Sequence, residues 1–166
     1  MRLFFALWPE APLQQSMLQA AQGLEGGRPA RAETVHLTLA FMSEVAEAKL
    51  PALLDMASCI QGEPFSLQLD QLAIWSPPGV AHLSPSAPPA ALLHLAEALQ
   101  QGVHQLDVSV DRRPFQPHVT LRRRMPQRMA TQSVPTLSWA VRDFVLVQSR
   151  LDAQGPAYAE LGRWYL

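Results

Sequence analysis

Cysteine is almost absent from this chain: Cys59 is the only one in 166 residues. That excludes an intramolecular disulfide and any zinc site built from several thiolates. Its place in an apolar, Ala-containing stretch predicts a buried and inert thiol. Charge is sparse as well, at 16% of residues with a formal net charge of −1, so overall charge does not point to a nucleic-acid partner. No apolar run approaches the roughly 20 residues that a membrane-spanning helix needs. The opening Met1-Arg2-Leu3-Phe4-Phe5-Ala6-Leu7-Trp8 has the look of a signal peptide. Pro9 and Glu10 cut it short, however, and no small-residue cleavage site follows. A cytoplasmic protein without a membrane partner is expected. Lysine is the other scarcity. Of 13 basic residues all but Lys49 are Arg, and Arg112, Arg113, Arg122, Arg123, Arg124 and Arg128 cluster where no Asp or Glu follows Asp111.

What is present is an ordinary globular composition, 48% hydrophobic, in a length suited to one compact domain or two small lobes sharing a core. Leu3–Trp8 reads as a buried strand. Helical spacing of Leu13, Met17, Leu18 and Ala21 predicts a helix from Pro12 to Gly23. His36–Phe41 alternates as a strand, with Leu37, Leu39 and Phe41 on the core side. A second helix is predicted from Ala46 to Gln61, with Ser43 as its cap and Pro51 in its first turn. Phe65–Trp75 and Val80–Ser84 form a hairpin around Pro77-Pro78-Gly79. A third helix is expected over Pro88–Gln101. Further strands are expected at Leu106–Val110, His118–Arg123, within Leu137–Leu151, and at Tyr158–Leu166. Interleaved helices and hairpin-like strands give an α+β class with mainly antiparallel sheets.

Two tetrapeptides repeat: His36-Leu37-Thr38-Leu39 and His118-Val119-Thr120-Leu121. A His-apolar-Thr-Leu match arises by chance on the order of once per ten thousand positions, so two copies in one short chain indicate a duplicated lobe. In a strand, residues two apart share a face. His36 with Thr38, and His118 with Thr120, therefore project together. Two imidazoles and two hydroxyls facing one cleft suit a phosphodiester. One neutral imidazole takes a proton and the other, protonated, gives one, while the hydroxyls donate to non-bridging oxygens. A single His on a strand is ordinarily structural or superficial, and His82, His94 and His104 are read so. Two His without a third ligand make a poor zinc set, so neither metal nor cofactor is expected.

These motifs, with Arg2-Leu3-Phe4-Phe5-Ala6-Leu7 and Arg113-Pro114-Phe115-Gln116-Pro117-His118, resemble the bacterial RNA 2′,3′-cyclic phosphodiesterases, formerly called 2′-5′ RNA ligases. That family belongs to the two-histidine phosphoesterase superfamily. The likeness extends through Ser149, Gly155, Tyr158 and Leu161. It implies one bilobal domain over residues 1–166, two pseudo-symmetric lobes flanked by helices with the site in the cleft between them. It also implies His36 as proton donor, His118 as proton acceptor, and Thr38, Thr120 and Arg123 as substrate-binding residues. The implied substrate is an RNA 3′ end bearing a 2′,3′-cyclic phosphate, tRNA fragments included, and the implied state is a monomer. Alternatives that keep the same residues are ligation by the reverse reaction, hydrolysis of a small cyclic nucleotide, and RNA-end binding without turnover.

Three departures stand out. Phe41-Met42-Ser43-Glu44 lacks the family's glycine, three arginines follow the second motif, and His82 stands where an aromatic is common. Strict alternation would turn Arg123 away from Thr120, so a bulge is needed to bring it to the cleft. Arg122, Arg124 and Arg128 are candidates for contact with the RNA backbone. Phe5, Trp8, Phe115 and Tyr158 are the candidates for stacking on a terminal base.

Overall fold

The computed structural model describes residues 1–166. Nine strands join in one sheet, and every pairing is antiparallel. In chain order the strands are β1 (Arg2–Leu7), β2 (Arg28–Pro29), β3 (Leu37–Met42), β4 (Phe65–Trp75) and β5 (Val80–Ser84). They continue with β6 (Val119–Arg123), β7 (Met129–Val141), β8 (Asp143–Asp152) and β9 (Gly155–Tyr165). The helices are α1 (Ala11–Gln19), α2 (Leu50–Ser58) and α3 (Ala90–Gln105). The class is the α+β expected.

The strand order β7-β4-β5-β6-β3-β1-β8-β9 splits at its centre into two runs of four strands, with the short β2 added beside β6. The motif strands β3 and β6 are the innermost strand of each half. They meet at a single pair, Leu37 opposite Val119. The duplicated tetrapeptides are thus side by side at the middle of the sheet.

One face of the sheet carries the main core. Leu3, Phe5 and Leu7 of β1, Leu37 and Leu39 of β3, and Val119 and Leu121 of β6 are buried there with Leu92, Leu95, Ala96, Leu99 and Val103 of α3. Fully burying each large aliphatic side chain contributes on the order of 1.5–3 kcal/mol, which pins the strands' register. The opposite face is left for the histidines.

Both motif strands are bulged at the same place. Phe5 faces Ala40 but Ala6 faces Thr38, so Leu39 is an extra residue. Likewise Ala81 faces Arg122 while His82 faces Thr120, so Leu121 is extra. Each spare carbonyl finds a donor: Gln100 of α3 bonds the Leu39 oxygen at 3.0 Å, and the Ala30 amide bonds the Leu121 oxygen at 2.8 Å. An extra residue reverses the faces beyond it. Phe41 therefore leaves the core side assigned to it by alternation and joins Phe4 on the opposite face.

Other expectations need correction. Cys59 is exposed, because it lies about 200° around the helix from the buried Ala57 at 100° per residue. The second helix is shorter than predicted. A 3-10 turn at Glu47–Lys49 precedes it, no side chain caps it, and Pro51 does occupy its first turn. Leu106–Val110 is not a strand. Helix α3 runs on to Gln105, and the amides of Asp107 and Val108 close its end on His104 and Val103. Asp107 takes the left-handed conformation there, φ 54°, which is a Schellman-type stop. Phe65–Trp75 and Val80–Ser84 form as predicted and pair as a hairpin.

Candidate active site

His36 and His118 each sit one residue before their strand begins. Their Nδ1 atoms bond the carbonyl two residues back, His36 to Thr34 at 2.7 Å and His118 to Gln116 at 2.7 Å. A carbonyl can only accept, so Nδ1 carries the hydrogen in both rings and Nε2 is left for chemistry. Continuing the Leu37–Val119 register by one residue each way sets Thr120 across from His36 and Thr38 across from His118. His36 Nε2 also lies 3.1 Å from Thr38 Oγ1. The approach to His36 is braced from the core by Gln14, whose Nε2 donates to the Val35 carbonyl at 3.1 Å.

The two imidazoles have different walls. Trp8 stacks on His36 at 4.8 Å and 4° between planes. Phe4 lies at 4.9 Å from the same ring, and Tyr158 meets it edge-on at 5.5 Å. His118 has Trp75 edge-on at 4.7 Å and His82 at 5.7 Å. Burial in the aromatic box lowers the His36 pKa to about 4, and the nearby charges of Arg123 and His118 add to that. Burial likewise lowers His118, with Arg123 and Arg113 contributing. Desolvation disfavours the charged imidazole in both cases. The same physics pushes the Tyr158 phenol up.

Arg123 reaches this face by the Leu121 bulge. Its guanidinium acts on His36, His118 and Tyr158 alike. Phe41 is its counterpart in the other half, five residues after the first motif His, and it is capped by Arg2 at 5.1 Å. Arg122 is not free to track a backbone, because its Nε and Nη2 donate to the Gly26 carbonyl at 3.1 and 2.7 Å. Arg124 and Arg128 are exposed. Among the aromatic candidates, Phe5 is wholly buried in the core and Phe115 packs against it. Trp8 and Tyr158 border the His36 site. A pocket of about 390 Å³ opens beside them, lined also by Arg31, Glu33, Thr34 and Glu160. A second pocket of about 420 Å³ is lined by Trp8, Trp139, Arg142, Asp143 and Arg163 and contains no motif residue.

His94 and His104 are exposed, as read from sequence, whereas His82 is 2% exposed and belongs to the His118 wall. Its strand register, directly opposite Thr120, is what the sequence alone did not supply. No three His, Cys, Asp or Glu side chains come together as a metal-binding cluster. No helix is long and apolar enough to cross a membrane.

The profile of the 2′-5′ RNA ligase superfamily matches residues 9–153. An Escherichia coli protein named RNA 2′,3′-cyclic phosphodiesterase is 34% identical over 99% of this chain and 96% of its own length. A Thermus thermophilus protein of the same name is 30% identical over 100% of this chain and 90% of its own. The crystal structure of E. coli LigT complexed with 3′-AMP superposes with a TM-score of 0.90 at 32% identity, covering 99% of this chain and 97% of that one.

Proposed function

Because the chain belongs to the 2′-5′ RNA ligase superfamily, we propose that it is an RNA 2′,3′-cyclic phosphodiesterase working through His36 and His118. The pairing of Leu37 with Val119 carries this reading, since it sets each motif His beside the other motif's Thr. Water attacks phosphorus in line and passes a proton to His118 Nε2. The P–O3′ bond breaks, His36 Nε2–H protonates O3′, and a 2′-phosphomonoester remains. Thr38, Thr120 and Arg123 stabilise the charge that builds on the non-bridging oxygens. The pocket beside Trp8 and Tyr158 takes the terminal base.

The chain acts as one two-lobed domain over residues 1–166, with the substrate in the cleft between the lobes. It is a cytoplasmic monomer, and RNA 3′ ends such as those of tRNA fragments are its substrates. Ligation, in which a 5′-hydroxyl replaces water as the nucleophile on the cyclic end, uses the same groups.

The assay is incubation with an oligoribonucleotide ending in 2′,3′-cyclic phosphate, with and without exhaustive chelation. A 2′-phosphate product formed equally in both is expected. No turnover, or turnover lost to EDTA and restored by one divalent metal, overturns the reading.

The pKa directions shape the pH dependence. Both imidazoles are lowered in the free enzyme, His36 more deeply although it is the donor. The productive form carries one proton on the pair, so kcat/KM follows a bell that peaks below pH 6.5. The phosphodiester anion raises both imidazoles when bound, and the kcat optimum therefore lies at higher pH than that of kcat/KM. Rate profiles measured at saturating and limiting substrate test this. A kcat/KM that climbs steadily to high pH points to hydroxide attack instead.

A further inference from the structure

Only two polar side chains are buried, Gln14 and His82. Gln14 has a structural task at the Val35 carbonyl, but His82 is only half accounted for. Its Nδ1 donates to the Val80 carbonyl at 3.2 Å, and no hydrogen bond occupies Nε2. No fully buried side-chain nitrogen or oxygen lacks a partner. Nε2 must therefore lie at the small part of His82 that reaches the surface. His82 is the cross-strand partner of Thr120, and directly opposed residues share a face of the sheet. That edge consequently opens on the same side as Thr120 and His118. Trp75 packs against both imidazoles, its ring centroid 3.7 Å from that of His82 and 4.7 Å from that of His118.

With Nδ1–H given to a carbonyl in both rings, His82 Nε2 and His118 Nε2 are two lone-pair acceptors. Burial holds His82 neutral at pH 7, as it does His118. The charged and titratable groups that act on this pair are Arg123 and Arg113 on His118, and His118 on His82. A water giving one hydrogen to each of two nitrogens holds them roughly 4.5–5 Å apart. The 5.7 Å separation of the ring centroids accommodates that bridge.

We propose that His82 is a water-positioning residue: His118 accepts the hydrogen that is transferred, His82 accepts the other, and an oxygen lone pair is left aimed at phosphorus. This rests on the cyclic phosphodiesterase reading above. It carries a consequence for the outcome of the reaction. An alcohol has one O–H hydrogen and cannot satisfy both acceptors, so an unpaired buried acceptor disfavours it. His82 thereby favours hydrolysis over transfer to a hydroxyl, including the ligation direction. In both reactions the nucleophile's proton goes to His118 and O3′ leaves with the proton from His36, so atoms balance with either nucleophile.

The test is product partition. Full-length wild type and His82→Phe are incubated with a cyclic-phosphate oligoribonucleotide across a methanol series. The ratio of 2′-phosphate to its methyl diester is then measured. Wild type is expected to favour water, and His82→Phe to shift the ratio toward methanol about tenfold, the usual worth of one hydrogen bond in a rate. His82→Gln, whose amide oxygen is an acceptor, should restore most of the preference. A merely structural lesion lowers both products together and leaves the ratio in place. His82→Leu gives the same readout if the Phe variant does not accumulate folded. An unchanged ratio in an active variant overturns the role of His82. Absence of both products from wild type instead overturns the phosphodiesterase reading.

Discussion

Replacing His118 with Asn is expected to lower kcat for a 2′,3′-cyclic phosphate by about 10²–10⁴-fold, the usual contribution of a general acid or base. Asn is the informative substitution. Its amide N–H can reproduce the bond that His118 Nδ1 makes to the Gln116 carbonyl, but it cannot take a proton from water. His36→Phe is the matching change on the other side. It keeps an aromatic ring against Trp8 and Phe4 and removes the proposed proton donor. Each variant should fall in kcat with little change in KM, because neither loses ground-state contacts to the base pocket. The double variant should be scarcely slower than the worse single one, since the pair acts as a unit. Initial rates over a substrate series decide the matter. A variant within a few-fold of wild type would remove that histidine from the mechanism.

A second large effect concerns acid stability. His36 has a pKa of about 4 when folded and about 6.5 when the chain unfolds. Between those values the unfolded state binds more protons, so stability rises with pH. The contribution is fully present above pH 6.5 and drains away as pH falls toward 4. The gap amounts to about 3 kcal/mol at 1.36 kcal/mol per unit. That is a sizeable share of the roughly 5–15 kcal/mol of a typical domain. Urea unfolding of wild type and His36→Phe at pH 7.5 and 4.5 isolates the effect, because the carboxylates titrate in both proteins. Wild type should lose most of this contribution relative to the variant over that interval. Parallel losses would mean that His36 is not desolvated in solution.

How legible the molecule was varies by element. The β4–β5 hairpin could be read to the residue, since its apolar alternation and its Pro-Pro-Gly turn are local signals. Helix α3 overran its expected end because Asp107 accepts a left-handed backbone that sequence reasoning reserves mainly for glycine. Cys59 is exposed despite its apolar neighbours, because composition near a residue does not say which side of the helix faces out. Strict alternation puts Arg123 and Phe41 on the wrong face, and each is corrected by a bulge two residues earlier.

By itself the sequence determined the antiparallel α+β class, the repeated His-x-Thr-Leu tetrapeptide and its two strands, and the pairing of an imidazole with a hydroxyl on one face. These follow from a period of two and from local hydrophobic pattern, which belong to consecutive residues. Only the tertiary structure decided that β3 and β6 meet at Leu37 and Val119, that Trp8, Phe4 and Tyr158 dry out His36, and that His82 stands opposite Thr120. The physical reason is that strand partners distant in the chain are chosen by the burial of the whole sheet. Desolvation and bulge position are properties of that assembled sheet, and no single segment contains them.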